Sequence, residues 1–271
     1  MTPALLLAGA LLAGPDYRVE IERWRAEREA ELKAEDGWLA LVGLHWLKPG
    51  ANSFGSAQDN AIVLPQSAPP RAGRLEHRGG KTVAFLASGG ERTLGEKDVL
   101  RLGTLSMFVI RRGDRYALRV RDTESPTRRA FKGLSWFPAD PAYRVEARLV
   151  PHARETRIPI PNVLGSVTPM KSPGRVDFEL RGKRVSLTPV FESDDARELF
   201  FIFKDETARA ETYGAGRFLY SELPKDGALV LDFNKAYNPP CAFTQYATCP
   251  LPPAQNVLPL RIEAGERFSG H

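Results

Sequence analysis

Residues that most often announce chemistry are scarce in this 271-residue chain, which has two cysteines, three methionines and four histidines. No serine stands in a Gly-x-Ser-x-Gly elbow, so hydrolysis of the familiar serine type has no local support. Walker and Gly-x-Gly-x-x-Gly loops are missing, and Gly214-Ala-Gly-Arg217 is too short, and set among β-like residues, to cradle a phosphate. No cofactor is implied. The two cysteines have no histidine close by in sequence, so metal-site spacing is missing and no metal site is assigned. No later segment is apolar for long enough to cross a bilayer as a helix, which predicts no integral membrane segment.

Charge of one sign is not in excess either. The 38 Lys and Arg residues are interleaved with 33 Asp and Glu, leaving a formal charge of +5 and a pI near 9.3. The nearest approach to a basic patch runs from Arg111 and Arg112 through Arg115, Arg119 and Arg121 to Arg128 and Arg129. Alternation puts Arg115, Arg119 and Arg121 on one strand face, opposite Tyr116, Leu118 and Val120. An exposed strand face accounts for that pattern. With no interleaved aromatic ladder, no nucleic-acid partner is predicted.

What is present begins with a short apolar run, Leu5 to Leu12, followed by small residues. It resembles the core and cleavage region of a secretory signal, with cutting near Gly9-Ala10 or Ala13-Gly14, although a positive charge ahead of the run is missing. Residues 1–14 are therefore read as a signal peptide and 15–271 as one domain, periplasmic or extracellular, with a cytoplasmic location as the alternative. Asp16 to Lys33 reads as an amphipathic helix carrying Val19, Trp24 and Leu32. Gly37 to Leu47 is apolar enough to be a buried strand or short helix, and periodicity does not choose between them.

From about residue 60 the pattern is β. Tyr143 to Leu149 alternates apolar and charged residues, as a half-solvated antiparallel strand requires. Arg175–Leu180 and Arg184–Leu187 flank a turn and read as a hairpin. Leu199-Phe-Phe-Ile-Phe203 is apolar on both faces, which predicts a place in the centre of a sheet. The expected fold is mainly β: a single-domain antiparallel barrel or sandwich with an N-terminal helix.

Several blocks carry a resemblance. They are Gly37-Trp-Leu-Ala-Leu-Val-Gly-Leu-His-Trp-Leu47, Asn52-Ser-Phe-Gly55, Phe203-Lys-Asp-Glu-Thr207, Thr212-Tyr-Gly-Ala-Gly-Arg-Phe218, Leu231-Asp-Phe-Asn-Lys-Ala-Tyr-Asn-Pro-Pro-Cys-Ala-Phe243, Tyr246-Ala-Thr-Cys-Pro-Leu-Pro-Pro253 and Ile262-Glu-Ala-Gly-Glu266. In these the chain resembles the bacterial domain-of-unknown-function 1684 family. The resemblance implies a single domain and directs attention to the C-terminal half. It implies no activity.

The candidate chemistry gathers in the stretch from Leu231 to Pro253, too rich in proline for helix or central strand. Asp232 and Asn234 share one face of the strand that enters it; Tyr237, Asn238 and Tyr246 follow. Asp205 and Arg217 end other β segments. A carboxylate, a guanidinium, amides and phenols converging at strand ends make a pocket for a small polar ligand. Asp232, Arg217 and Tyr246 are the catalytic candidates, and Asn234, Asn238, Asp205 and Tyr237 the ligand-binding ones. The competing reading is a buried network in which Arg217 pairs with Asp205 or Asp232. Cys241 and Cys249 are first a disulfide pair clamping the loop; packed thiols and a nucleophilic thiol remain open alternatives. Of the histidines, His77 is placed in a polar turn and His45 in the core. Three functions stay in view: an exported hydrolase or related transferase, a non-catalytic ligand-binding barrel walled by Trp38, Trp46 and Trp136, and an interaction protein whose motif is a loop clamp. The sequence specifies no oligomeric state.

Overall fold

Alternation of apolar and polar residues decides most of this fold, and the few departures from it occur where proline or buried aromatics intervene. The computed structural model describes residues 15–268; the predicted signal segment and His271 lie outside the described residues. Helix α1, Pro15–Lys33, forms over the predicted span, with Asp16 in its first turn and Lys33 in its last, each complementing the helix dipole. Ile21 and Leu32 supply its fully buried positions. No described helix is long and apolar enough to cross a membrane.

The chain forms two compact units. One comprises Glu29–Gly133 with Pro240–Cys249. Its strands are β1 (Leu41–Trp46), β2 (Gly50–Gly55), β3 (Ile62–Val63), β4 (Gly73–Arg78), β5 (Lys81–Leu86), β6 (Glu91–Leu94), β7 (Leu100–Leu102), β8 (Leu105–Arg112) and β9 (Arg115–Asp122). They build one sheet of order β1-β9-β8-β7 and another of order β3-β2-β4-β5-β6. Phe54, Ile62, Leu75, Ala84 and Leu94 of the second sheet share a core with Leu105, Met107, Val109, Leu118 and Val120 of the first. The ambiguous segment Gly37–Leu47 resolves into a short 3-10 turn and β1.

The other unit comprises the described chain up to Arg28, Leu134–Pro239, and the chain from Pro250 onward. It contains β10 (Arg144–Pro161), β11 (Val167–Leu180), β12 (Lys183–Leu187), β13 (Glu198–Phe203), β14 (Arg217–Glu222) and β15 (Ala228–Asp232). Order β12-β11-β10-β15 makes one sheet and β13-β14 the other. Val176, Phe178, Leu180, Leu229 and Leu231 meet Leu199, Phe201, Phe203 and Leu219 in a single core. The predicted hairpin is β11–β12, turned at Arg181 and Gly182, both with positive φ, between the paired residues Leu180 and Lys183.

Every strand pair is antiparallel except β2 with β3. Among the described strands no sheet closes on itself. The fold is therefore mainly β with an N-terminal helix, and of the two expected architectures the sandwich fits.

Two elements depart from the pattern. The strand predicted to stop near Leu149 continues to Pro161, carrying Pro151, Pro159 and Pro161. That is tolerated because β15 pairs only with Arg144–Arg148, so beyond them β10 has one open edge where no amide donor is needed. Leu199–Phe203 is buried on both faces as expected, yet it is not central in a ladder. It pairs with β14 on one side and meets only a single bridge, Val190 to Phe200, on the other.

One backbone position near the C-terminus is tightly constrained. Gly265 has φ +80°, and a Cβ there would lie 2.4 Å from the Ala236 carbonyl oxygen and 2.7 Å from that of Phe233. Gly182 has a similar φ of +74° with nothing within 4 Å of the added carbon. Gly182→Ala is expected to cost about 1–2 kcal/mol in urea unfolding, the left-handed strain alone. Gly265→Ala adds a clash with backbone and is expected to cost roughly 3 kcal/mol or more. Equal losses for the two would contradict this account.

Candidate functional site

The unit that contains β10–β15 brings most of the sequence-predicted residues into three adjoining hydrogen-bonded groups. The first forms where β15 ends. Asp232 caps a 3-10 turn, Phe233–Lys235, by accepting the Asn234 amide at 3.1 Å. Phe233 turns fully into the core. Asn234 is thus on a turn, not on the strand face predicted for it, and the cap is what keeps it beside Asp232. Its side chain donates to the Asp140 carbonyl at 2.8 Å and accepts the Asp140 amide at 2.9 Å. The Tyr17 hydroxyl, from α1, donates to both Asp232 oxygens at 2.9 and 3.0 Å. Asp232 and Asn234 are buried. Burial raises the Asp232 carboxyl above its ordinary range, against the Asn234 and Tyr17 hydrogen bonds that lower it.

The second group surrounds Arg217, at the start of β14 and 1% exposed. Its guanidinium donates to Asp205 at 3.0 Å, to the Ile262 carbonyl at 2.9 Å and to the Ala264 carbonyl. Asp205 also accepts the Ile262 amide at 2.8 Å and the amide and hydroxyl of Thr207. Of the two partners the sequence offered for Arg217, the ion pair is with Asp205. Burial lowers the Arg217 pKa, and the Asp205 carboxylate opposes that shift.

The third group joins the motif to the end of the chain. Asn238 donates its amide to Glu266 at 3.0 Å and its side-chain nitrogen to the other Glu266 oxygen at 2.8 Å. Glu266 is 0% exposed. Burial pushes its carboxyl up to about 7, while Arg28, Asn238 and Arg217 pull the other way. Glu266 was not among the predicted site residues. Its place in the Ile262–Glu266 block is the only sequence signal, and its burial depends on contacts distant in sequence.

Over these groups lies a partly exposed aromatic cluster. Tyr237 exchanges backbone hydrogen bonds with Phe218, and its ring stacks on Tyr220 at 6.3 Å and meets Trp24 at 6.4 Å. Trp24 contacts Trp136 edge-on at 5.7 Å. Arg28 sits 4.3 Å over Tyr237, and Arg25 sits 5.0 Å over Trp136.

The remaining candidates belong to the unit that contains β1–β9, among them Tyr246, Cys241 and Cys249. Tyr246 donates its amide to the Thr244 hydroxyl at 3.3 Å. No disulfide joins the two cysteines in this structure. Trp38 and Trp46 also fall in this unit, apart from Trp136. Two surface expectations need correction here. His77 is on β4, buried, and meets Thr82 across the ladder at 2.8 Å, so it is not in a polar turn. Arg119, expected on an exposed strand face, is 5% exposed because Trp38 and Phe108 pack beside it.

Among the described residues no group of three His, Cys, Asp or Glu could hold a metal ion. An open groove of about 450 Å³ lies at the β11–β12 hairpin, lined by Arg175, Asp177, Glu179 and Arg184 among others, and none of the predicted site residues borders it.

The model of a family described as "Protein of unknown function (DUF1684)" matches residues 129–267. That span holds all three hydrogen-bonded groups except Tyr17, and both cysteines. The solution NMR structure of an uncharacterized protein from Haloarcula marismortui is 35% identical, over 52% of this chain and 80% of that one, with a TM-score of 0.44. No curated protein matches the chain.

Glu266 sets a pH dependence. Its folded pKa, about 7, lies above the ordinary 4.5. Its contribution is therefore fully present below about pH 4.5 and is lost as pH rises through 7. Urea unfolding at pH 5, 6, 7 and 8 is expected to show a decline that Glu266→Gln removes, amounting to roughly 3 kcal/mol over the full titration. An unchanged slope in the variant would count against it. Asp205→Asn, which leaves Arg217 buried without its counter-charge, is expected to cost about 3–5 kcal/mol in urea unfolding at pH 7.

Proposed function

The chain belongs to the DUF1684 family, and from the way its polar residues are used we propose that it binds a small polar ligand without hydrolysing it. The observation that carries this reading is where hydrogen-bonding capacity is spent and where it is left over. Asp205, Arg217, Asp232 and Asn234 are each buried, and fold-internal partners occupy the groups that would have to act on a substrate. A general acid or base must reach the proton it transfers. Asp232 instead has both oxygens engaged by Tyr17.

The capacity left over gathers at the aromatic cluster. Arg25 Nε, Arg28 Nε and Asn238 Oδ1 are buried atoms with no hydrogen-bond partner. Buried polar atoms normally have one, so orphans beside partly exposed aromatics favour a site that a ligand completes. Two guanidinium donors flanked by Trp24, Trp136 and Tyr237 suit a carboxylate or carbonyl carried on a flat apolar body. The apolar run Leu5–Leu12 supports the accompanying proposal that binding takes place outside the cytoplasm.

Calorimetric titration with benzoate tests the reading. Wild-type protein is expected to bind it, and Arg28→Met to bind at least about tenfold more weakly, the loss of one charge-assisted hydrogen bond. Asp232→Asn is expected to lower stability and leave benzoate affinity unchanged. If benzoate and its alkyl analogues give no heat of binding, the ligand reading is wrong. If Asp232→Asn abolishes turnover of an aryl ester at unchanged melting temperature, the hydrolase reading replaces it.

A further inference from the structure

The binding reading leaves the cysteine loop unused, although it holds the only sulfur nucleophiles of the chain. Pro240–Cys249 belongs to the same unit as β1–β9. Within that unit the Thr244 hydroxyl donates to the Leu41 carbonyl at 3.3 Å, and Arg112 Nε donates to the Thr248 hydroxyl at 2.9 Å. The two cysteines face each other across the loop with crossed hydrogen bonds. The Cys241 amide donates to Cys249 Sγ at 3.1 Å, and the Cys249 amide donates to Cys241 Sγ at 3.4 Å. Cys241 is partly exposed and Cys249 buried.

Arg119 supplies an independent observation. Its side chain is 5% exposed, and its Nε and Nη2 have no hydrogen-bond partner. Its guanidinium stands 5.2 Å over the Trp38 ring. Burial, and then repulsion from Arg112 and Arg121, lower its pKa, and the two cysteines act in the opposite direction. A buried cation without a carboxylate is costly. A thiolate formed in the cysteine loop would supply an opposite charge. Hydrogen bonds from the Cys249 thiol and amide, and to a smaller extent Arg119, hold the Cys241 thiol below its ordinary pKa against burial, while Cys249 is pushed up.

We propose that Cys241 and Cys249 are a redox-active dithiol, with Cys241 as attacking thiolate, Cys249 as resolving thiol and Arg119 as the positioning cation, which reacts with low-molecular-weight disulfides. The Cys241 thiolate attacks one sulfur of the disulfide RSSR, forming Cys241–S–S–R and expelling RS⁻. Cys249 then loses its proton to that thiolate and attacks the Cys241 sulfur. The Cys241–Cys249 bond forms as the second RS⁻ leaves. Two electrons pass from the protein to RSSR, and one RSH and one RS⁻ are released. Arg119 stabilises the thiolate and has no such partner in the oxidised pair, so it favours the reduced state. This makes the disulfide easy to reduce again, unlike a structural cross-link.

The test uses the full chain, reduced and then incubated with oxidised glutathione, with thiols followed by alkylation and mass spectrometry. Wild-type protein is expected to form the intramolecular disulfide and to regain both thiols in dithiothreitol without unfolding. Cys249→Ser is expected to accumulate the mixed disulfide at Cys241, and Cys241→Ser to react at least about tenfold more slowly at the buried Cys249. Arg119→Met slows capture at Cys241 by about tenfold, and Arg119→Lys, which keeps a cation, restores most of the rate. If Arg119→Met does not fold, by circular dichroism, the Lys variant and the two cysteine variants decide. Equal capture rates at the two cysteines overturn the proposal. So does wild-type protein that keeps two alkylatable thiols, or a native disulfide that resists dithiothreitol.

Discussion

The unit that contains β10–β15 depends on one buried charge. Arg217 enters β14 directly after Gly216 and is 1% exposed, so its guanidinium cannot be solvated. Taking such a group out of water costs several kcal/mol unless charge and hydrogen bonds replace the lost solvent. The replacement comes from two separate stretches of chain: Asp205 after β13, and the carbonyls of Ile262 and Ala264 in the C-terminal segment. Asp205 in turn holds the Ile262 amide. The ends of β13 and β14 and the last irregular segment are therefore positioned by one ion pair. Hydrophobic burial alone would not specify that segment's register, because Ile262–Glu266 offers only alternate apolar residues to the core.

Once the C-terminal segment is pinned, the other groups follow. Gly265 can pass within van der Waals reach of the Ala236 and Phe233 carbonyls only because it has no Cβ. The next residue, Glu266, is then carried to Asn238. A carboxylate in so dry a place shifts toward neutrality, and the balance between desolvation and the Arg28 and Arg217 charges leaves it titrating near neutral pH. The same logic explains why Tyr17 is needed at Asp232. Among the described residues the carboxyl there forms no salt bridge, and the phenol hydroxyl, with the Asn234 nitrogens, serves its oxygens in place of water. Each acid in this region thus has a different remedy: a guanidinium for Asp205, a phenol for Asp232 and an amide pair for Glu266.

What was legible in sequence, and what was not, divides along physical lines. Periodic features were read well, because a strand or helix face repeats over several residues: α1, β10 at its start, and the β11–β12 hairpin. The pairing of Arg217 with an acid was also legible, since a basic residue between Gly216 and the apolar Phe218-Leu219 has to be buried with a partner. Choosing Asp205 over Asp232 was not, because it depends on contacts far apart in sequence. Glu266, Tyr17 and Arg28 were missed for the same reason. Each is an ordinary polar residue in a polar stretch, and only tertiary contact makes it special. Arg119 misled for the opposite reason. Alternation put it correctly on a face with Arg115 and Arg121, but alternation does not say whether that face is covered, and Trp38 stacking beneath its guanidinium is a long-range event.

The proline-rich motif was read as one loop, and its physics makes it two. Up to Pro239 it is held in one unit by Asn234 and Asn238; from Pro250 it is held there again, with the Leu251 amide on the Pro161 carbonyl at 2.7 Å. Between those anchors the ten-residue insert Pro240–Cys249 belongs to the other unit. Pro239 and Pro240, on either side of the first crossing, and Pro250, just past the second, lack amide donors and owe no backbone hydrogen bond as donors. This arrangement changes what a Cys241–Cys249 bond can do. Closing a loop of about nine residues stabilises a fold by roughly 2–3 kcal/mol through the unfolded chain. The insert's ends are already fixed by hydrogen bonds that do not involve sulfur, so the bond is not required to hold the insert in place. The fold can then keep its shape while the sulfurs change oxidation state, a freedom that a purely structural cross-link does not need.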